Sequence, residues 1–241
     1  MLTLGVVSQK GGSGKTTLAL HVSIAALEAG LSVAVIDLDP QRSAELWGEY
    51  REHLARRGQT KAGGASKVAR RGDEPAIVHG TSTSLDEMLA AARRTGTDLV
   101  IIDTPPAVDK SMIYAAAAAD IVIVPTRTNI LDELAVRETL DYLRRINMLA
   151  KTVVVLNEAG GDGKGASSIR KTVEQDFGAI LLKARLGEHP ELALALRDGK
   201  GITELGKSKA LSKVKDEIRA LYQSLMQFGE GRKSLKRKVP A

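Results

Sequence analysis

Short apolar runs recur along the chain, separated by longer stretches in which apolar residues return every third or fourth position. The runs occupy residues 2–7, 33–36, 76–78, 99–102, 121–124, 153–156 and 180–182. Each has strand length and several are rich in Val and Ile, so they predict strands buried on both faces. The intervening stretches at 16–29, 44–56, 85–94, 134–146 and 167–177 predict helices. This alternation predicts an α/β fold, a mostly parallel sheet flanked by helices on both faces. Such sheets take ligands beyond the carboxyl ends of their strands, so chemistry is expected in the residues just after each run.

Two stretches break the rhythm. Residues 57–74, with Gly63, Gly64, Gly72, Lys61, Lys67, Arg70 and Arg71, have no apolar period and predict a flexible basic loop. Near the end, Leu211, Val214, Ile218, Leu221, Leu225 and Phe228 share one helical stripe, which predicts a last helix packed on the body. The expected organisation is one domain over 1–228 and a basic, disordered tail over 229–241.

The stretch after the first run carries the strongest chemistry. Ser8-Gln9-Lys10-Gly11-Gly12-Ser13-Gly14-Lys15-Thr16-Thr17 leads directly into a helical stretch. Glycines let successive backbone N–H groups converge on phosphate oxygens, and the helix N-terminus adds partial positive charge. Lys15 supplies a cation for the β- and γ-phosphates, and Thr16 a hydroxyl for Mg²⁺. The strict P-loop pattern wants glycine where Gln9 stands, and an additional lysine, Lys10, follows it.

The second run leads into Asp37-Leu38-Asp39-Pro40-Gln41, which puts two carboxylates at the mouth of the same site. Asp39 is placed to orient an attacking water and Asp37 to reach the metal's water shell. The bland alternative is an Asp-Pro turn after a strand. The fourth run ends in Asp103-Thr104-Pro105-Pro106, where an acid able to contact Mg²⁺ belongs. After the sixth run, Asn157 offers a donor and an acceptor suited to an adenine edge, or simply forms a turn.

Composition narrows the field. The 241 residues are 43% apolar, enough for one α/β domain. With no cysteine, disulfides, thiolate metal sites and iron–sulfur clusters are excluded, and His21, His53, His79 and His189 lack metal-ligand spacing. No apolar stretch has the length of a membrane span and the N-terminus opens on a strand, so a cytoplasmic protein is expected. The net charge of +6 is uneven: residues 183–241 hold 14 basic against 7 acidic side chains, and the remainder 21 against 22. That segment suits a polyanion or a well-solvated helix, and composition alone does not choose.

The motifs Lys-Gly-Gly-Ser-Gly-Lys-Thr-Thr, Asp-Leu-Asp-Pro-Gln and Ile-Ile-Asp-Thr-Pro-Pro, in this order, resemble the ParA/MinD family of deviant Walker A ATPases over nearly the whole chain. The likeness is closest to small ParA-type partition proteins without an N-terminal helix-turn-helix domain. It implies a single-domain P-loop ATPase using ATP and Mg²⁺, slow without a partner, with ATP sandwiched between two subunits of a homodimer. It also implies that Lys10 reaches the other subunit's phosphates, Lys15 is the P-loop lysine, Asp39 orients water, Asp103 is the metal-site acid and Asn157 reads adenine. Nonspecific double-stranded DNA, a ParB-like adaptor and a nucleoid-associated ATP-bound form follow from the same resemblance. The basic C-terminal segment then becomes a phosphate-backbone surface with Arg185, Lys200, Lys207, Lys209, Lys213 and Arg219 as candidates. Alternatives within the family are a MinD-like membrane-cycling ATPase, against which the charged terminus speaks, and a ParA-like ATPase that positions other cargo or assists DNA transfer.

Overall fold

The computed structural model describes residues 1–61, 74–158 and 163–238. Most of the basic loop expected at 57–74 lies outside the described residues; its first five positions form the end of a helix. Seven strands form one sheet: β1 (Leu2–Val6), β2 (Val33–Asp37), β3 (Ala76–His79), β4 (Leu99–Asp103), β5 (Ile121–Thr126), β6 (Thr152–Leu156) and β7 (Ile180–Leu181). Their order is β3-β2-β4-β1-β5-β6-β7, and every pair is parallel. All seven runs predicted as strands are therefore strands. β1, β2, β4, β5 and β6 are buried along their whole length, as expected of strands covered on both faces.

Among the described residues eight helices cover the sheet: α1 (Lys15–Glu28), α2 (Ser43–Lys61), α3 (Leu85–Arg94), α4 (Lys110–Ala118), α5 (Ile130–Arg145), α6 (Lys164–Arg170), α7 (Pro190–Arg197) and α8 (Lys209–Lys238). One core layer packs α1, α7 and α8 on the sheet through Leu18, Val22, Ile24, Leu192, Val214, Ile218, Leu221 and Leu225. The other packs α3 to α6 through Leu85, Leu89, Met112, Val136, Leu140 and Ile169. Because β1 lies between β4 and β5, the loops after β1, β2 and β4 open side by side at one edge, where the strand order switches direction.

Three features differ from the sequence expectation. α4 and α7 are helices where none is predicted: α4 reads KSMIYAAAA, too uniformly apolar for a polar face to stand out. The helix expected at 167–177 splits into α6 and a π-helical segment, Lys171–Asp176. The tail expected to be disordered from 229 is instead the continuation of α8 to Lys238. It stays helical because packing continues past Phe228: a side chain at Gly229 would meet Leu2 and Ile121 at 3.1 to 3.3 Å, and Arg232 bonds the carbonyl of Ala150.

Candidate functional site

The loop between β1 and α1 is built to present bare backbone. Gly12 and Gly14 hold left-handed conformations (φ 73° and 86°), which side chains resist. At Gly14 a Cβ would also lie 2.0 Å from the Asn157 amide nitrogen, so only glycine fits. Around Gly11 and Gly12 nothing approaches within 4 Å of such a position, leaving the cradle open. α1 starts without a side-chain cap or an acid in its first turn, so its leading N–H groups stay available to an anion. Ser13 Oγ is buried without a partner.

Lys15, Thr16, Asp39 and Asp103 converge behind this loop. The Thr16 hydroxyl donates to Asp103 Oδ2 at 2.6 Å, while Asp103 Oδ1 is buried and unpartnered. Burial pushes the Asp103 carboxyl up to about 7, against the opposing pull of the Thr16 hydrogen bond. Lys15 is itself buried, and loss of solvent lowers its pKa while the charges of Asp103 and Asp39 act to raise it. A buried carboxylate with one empty oxygen, a hydroxyl beside it and a buried lysine form a donor set that fits a hard divalent cation carried on phosphate oxygens. Among the described residues no group of three or more His, Cys, Asp or Glu side chains is placed to hold a metal ion.

Three of the expected site residues are engaged by groups of their own chain. Asp37, in register beside Asp103, is bound to backbone through both oxygens: Oδ1 accepts from the Asp39 N–H at 2.9 Å, and Oδ2 accepts from the Ala44 and Glu45 N–H groups at 2.8 and 3.2 Å. It is fully buried and closes the N-terminus of α2, a helix-capping task that uses both oxygens. Asn157 is also buried; its amide donates to the Ser13 carbonyl at 2.9 Å and so braces the loop. Lys10 does not extend away from its own chain. Its ammonium pairs with Asp132 on α5, and that carboxylate, 2% exposed, also receives the Asn129 amide.

Asp39 lies in the half-exposed loop after β2, its Oδ1 accepting from the Gln41 N–H at 2.9 Å. Thr17 follows Thr16 into α1 and is half-buried. Asp132 escaped sequence reading because it stands in a stretch rich in charge. The Asn129-to-Asp132 spacing, a helix-start signature, was its one visible signal.

The basic candidates separate into two groups. Lys207, Lys209 and Arg219 line one cleft at the start of α8, together with Lys215, which was not singled out. Lys213 is on the same helix and pairs with Glu217 at 3.9 Å. Lys200 is exposed in the turn after α7, and Arg185 lies in the loop after β7; neither lines the cleft. Among the described residues no helix is long and apolar enough to cross a membrane.

α7 and the segment between it and α8 hang on helices that start at the site. From α1, His21 places Nε2 3.2 Å from the Leu192 carbonyl and accepts the Ile202 N–H on Nδ1 at 3.1 Å. From α2, Trp47 donates to the Leu196 carbonyl at 2.9 Å, and Arg51 forks onto Glu204 at 2.6 and 2.7 Å while reaching the Gly199 carbonyl at 2.8 Å.

Comparison with known proteins agrees with this geometry. Residues 3–141 match the family described as ATPase MipZ. The chain is 26% identical over 250 residues to Protein IncC of Escherichia coli, covering 92% of this chain and 68% of that one. It is 31% identical over 147 residues to the chromosome-partitioning ATPase Soj of Thermus thermophilus, covering 52% of this chain and 54% of Soj. The solved structure of the MinD cell division protein of Aquifex aeolicus superposes with a TM-score of 0.71 over 94% of this chain and 98% of that one; at 18% identity this shows a shared fold.

Proposed function

The chain belongs to the ATPase MipZ family, within the ParA/MinD group of deviant Walker A ATPases, and from that premise we propose that it is a DNA-partition ATPase. Its ATP-bound form is a homodimer that coats duplex DNA nonspecifically and is reset when a ParB-like adaptor stimulates hydrolysis. The observation that carries this reading is the convergence of Lys15, Thr16, Asp39 and Asp103 behind an open glycine cradle. Similarity to Soj of Thermus thermophilus, which is named a chromosome-partitioning ATPase, supports the partition role.

In this reading the N–H groups from Gly11 to Thr17 bind the phosphates of ATP, and Lys15 neutralises the β- and γ-oxygens. Thr16 and Asp103 hold Mg²⁺, which when bound offsets the charge on those oxygens. Asp39 orients the attacking water, since its carboxylate keeps one oxygen beyond its own turn. Lys10 leaves Asp132 when a second subunit arrives and contributes its charge to that subunit's phosphates, so the complete cation set exists only in the dimer. Asp37 serves the site indirectly, by fixing where α2 begins relative to Asp39.

Lys207, Lys209 and Arg219, with Lys200, Lys213 and Arg185 around them, form the DNA-facing surface. The test is binding to a nonspecific duplex at stated salt without nucleotide, with ADP and with ATP, beside anionic vesicles. The proposal expects duplex binding in ATP alone. Binding to vesicles in place of DNA would make the protein a membrane-cycling member of the family, and DNA binding indifferent to nucleotide would remove the switch.

A further inference from the structure

A cleft of about 500 Å³ opens beside the first turns of α8, and its lining carries four cationic side chains, Lys207, Lys209, Lys215 and Arg219, against one carboxylate, Asp216. Three of the cations lie on exposed residues, and a solvated surface would account for them. Lys215 is different. It is 8% exposed, and its ammonium donates to the carbonyls of Leu205 and Gly206, the latter at 3.3 Å. Those acceptors are neutral. The neighbouring carboxylates are engaged elsewhere, Asp216 with Arg219 at 3.9 Å and Glu217 with His189 at 2.8 Å, and among the described residues no ion pair includes Lys215.

An ammonium withdrawn from water without a counter-charge is costly unless an anion completes its surroundings. It has three donors and two are used. The third, the leading N–H groups of α8 and the Ser208 and Ser212 side chains of the lining are donors suited to phosphate oxygens.

We propose that this cleft is a binding site for one phosphate group, with Lys215 as its floor and the duplex DNA backbone as the source of the phosphate. The inference rests on the DNA-facing reading of the C-terminal segment and adds to it a fixed point: one phosphate seated on a buried cation, with the exposed lysines acting at longer range. A lipid headgroup offers the same chemistry, but the apolar stripe of α8 is spent inside the fold. Val214, Ile218, Leu221 and Leu225 are at most 1% exposed, so this helix has no such stripe left to enter a bilayer.

The experiment measures affinity for a nonspecific 24-base-pair duplex in Mg-ATP across a salt series, for the full chain and for Lys215→Met, Lys215→Arg and the double variant Lys207→Gln/Lys209→Gln. Lys215→Met should weaken binding by about tenfold at 0.1 M salt and reduce the slope of log K against log salt by about 0.9. Lys215→Arg should keep most of both. The double variant, which touches only exposed side chains and so reports even if Lys215→Met folds poorly, should reduce the slope by about 1.8. Vesicles containing phosphatidylglycerol, and inorganic phosphate added in saturating Mg-ADP, form the control arms.

If the full chain binds the duplex and the cleft variants match it in affinity and slope, the inference fails and the partition reading stands. If the full chain binds no duplex in any nucleotide state, both fail. Variants that lose vesicle binding, or lose stabilisation by inorganic phosphate while keeping duplex binding, would overturn DNA as the source.

Discussion

If Lys10 must leave Asp132 to reach a second subunit, the pair sets a measurable cost on dimer formation. Asp132 is 2% exposed and Lys10 32%, which places the pair between surface ion pairs, worth about 0.2–1 kcal/mol, and buried ones, whose disruption costs about 3–5 kcal/mol. Asp132 would still keep the Asn129 amide if Lys10 left, so we assign the pair about 1–2 kcal/mol. Lys10→Ala orphans a buried carboxylate and should lower the melting temperature of the nucleotide-free protein by roughly 2–8 °C, at about 2–4 °C per kcal/mol for a chain of this size. Asp132→Asn instead removes the buried charge and leaves Lys10 in contact with water, so stability should change by less than about 1 kcal/mol. Its effect should appear in assembly. If each subunit must break this pair before Lys10 can cross, Asp132→Asn removes that cost twice, about 2–4 kcal/mol per dimer, and tightens the ATP-bound dimer roughly 30- to 1000-fold. Sedimentation velocity in ATP, in an Asp39→Ala background to suppress hydrolysis, reads the constant directly. A dimer no tighter with Asp132→Asn than without it would refute the competition.

Three further outcomes follow from particular contacts. His21 is buried and its pKa is depressed to about 4, first by loss of solvent, with the Leu192 carbonyl and Glu204 acting the other way. The stability this neutral ring contributes is therefore complete above pH about 6.5 and is lost as pH falls toward 4, about 2 kcal/mol of it by pH 5. His21→Gln should flatten that part of the melting profile, and an unchanged acid slope would exclude His21 as its source. Asn157→Ala should weaken ATP and GTP alike, by about tenfold, because the lost bond holds the Ser13 carbonyl; selective loss of ATP would restore the adenine-reading role. Asp39→Ala should bind ATP yet turn over at least a hundredfold more slowly in steady-state phosphate release, and a variant with normal turnover would free that carboxylate from the reaction.

Most of the sheet was legible because five of its strands are buried on both faces, and runs of about four apolar residues between turn signals leave little choice of element. The cradle was legible because its shape is local, set by a handful of adjacent residues with glycines in left-handed conformations. What escaped depended on distant neighbours. Asp37 and Asp103 pair in register on adjacent strands and both end apolar runs, yet one caps α2 and the other keeps an empty oxygen. Nothing in either run distinguishes them. Asp132 and Lys215 look like solvated charges in the sequence, and only tertiary packing makes them buried ones. The helix at 229–238 was misjudged because its composition is that of a soluble tail, whereas the contacts of Gly229 and Arg232 with the body keep the chain helical there.

Dimerisation gated by nucleotide through Lys10 would be read out by molecular mass in light scattering. The wild type, Lys10→Ala and Asp39→Ala proteins would each be measured without nucleotide, with Mg-ADP and with Mg-ATP. The mass of the wild type and Asp39→Ala should double in Mg-ATP alone, while Lys10→Ala should bind ATP and remain monomeric. A Lys10→Ala protein that dimerises as readily as the wild type, or a wild type whose mass ignores bound ATP, would contradict it.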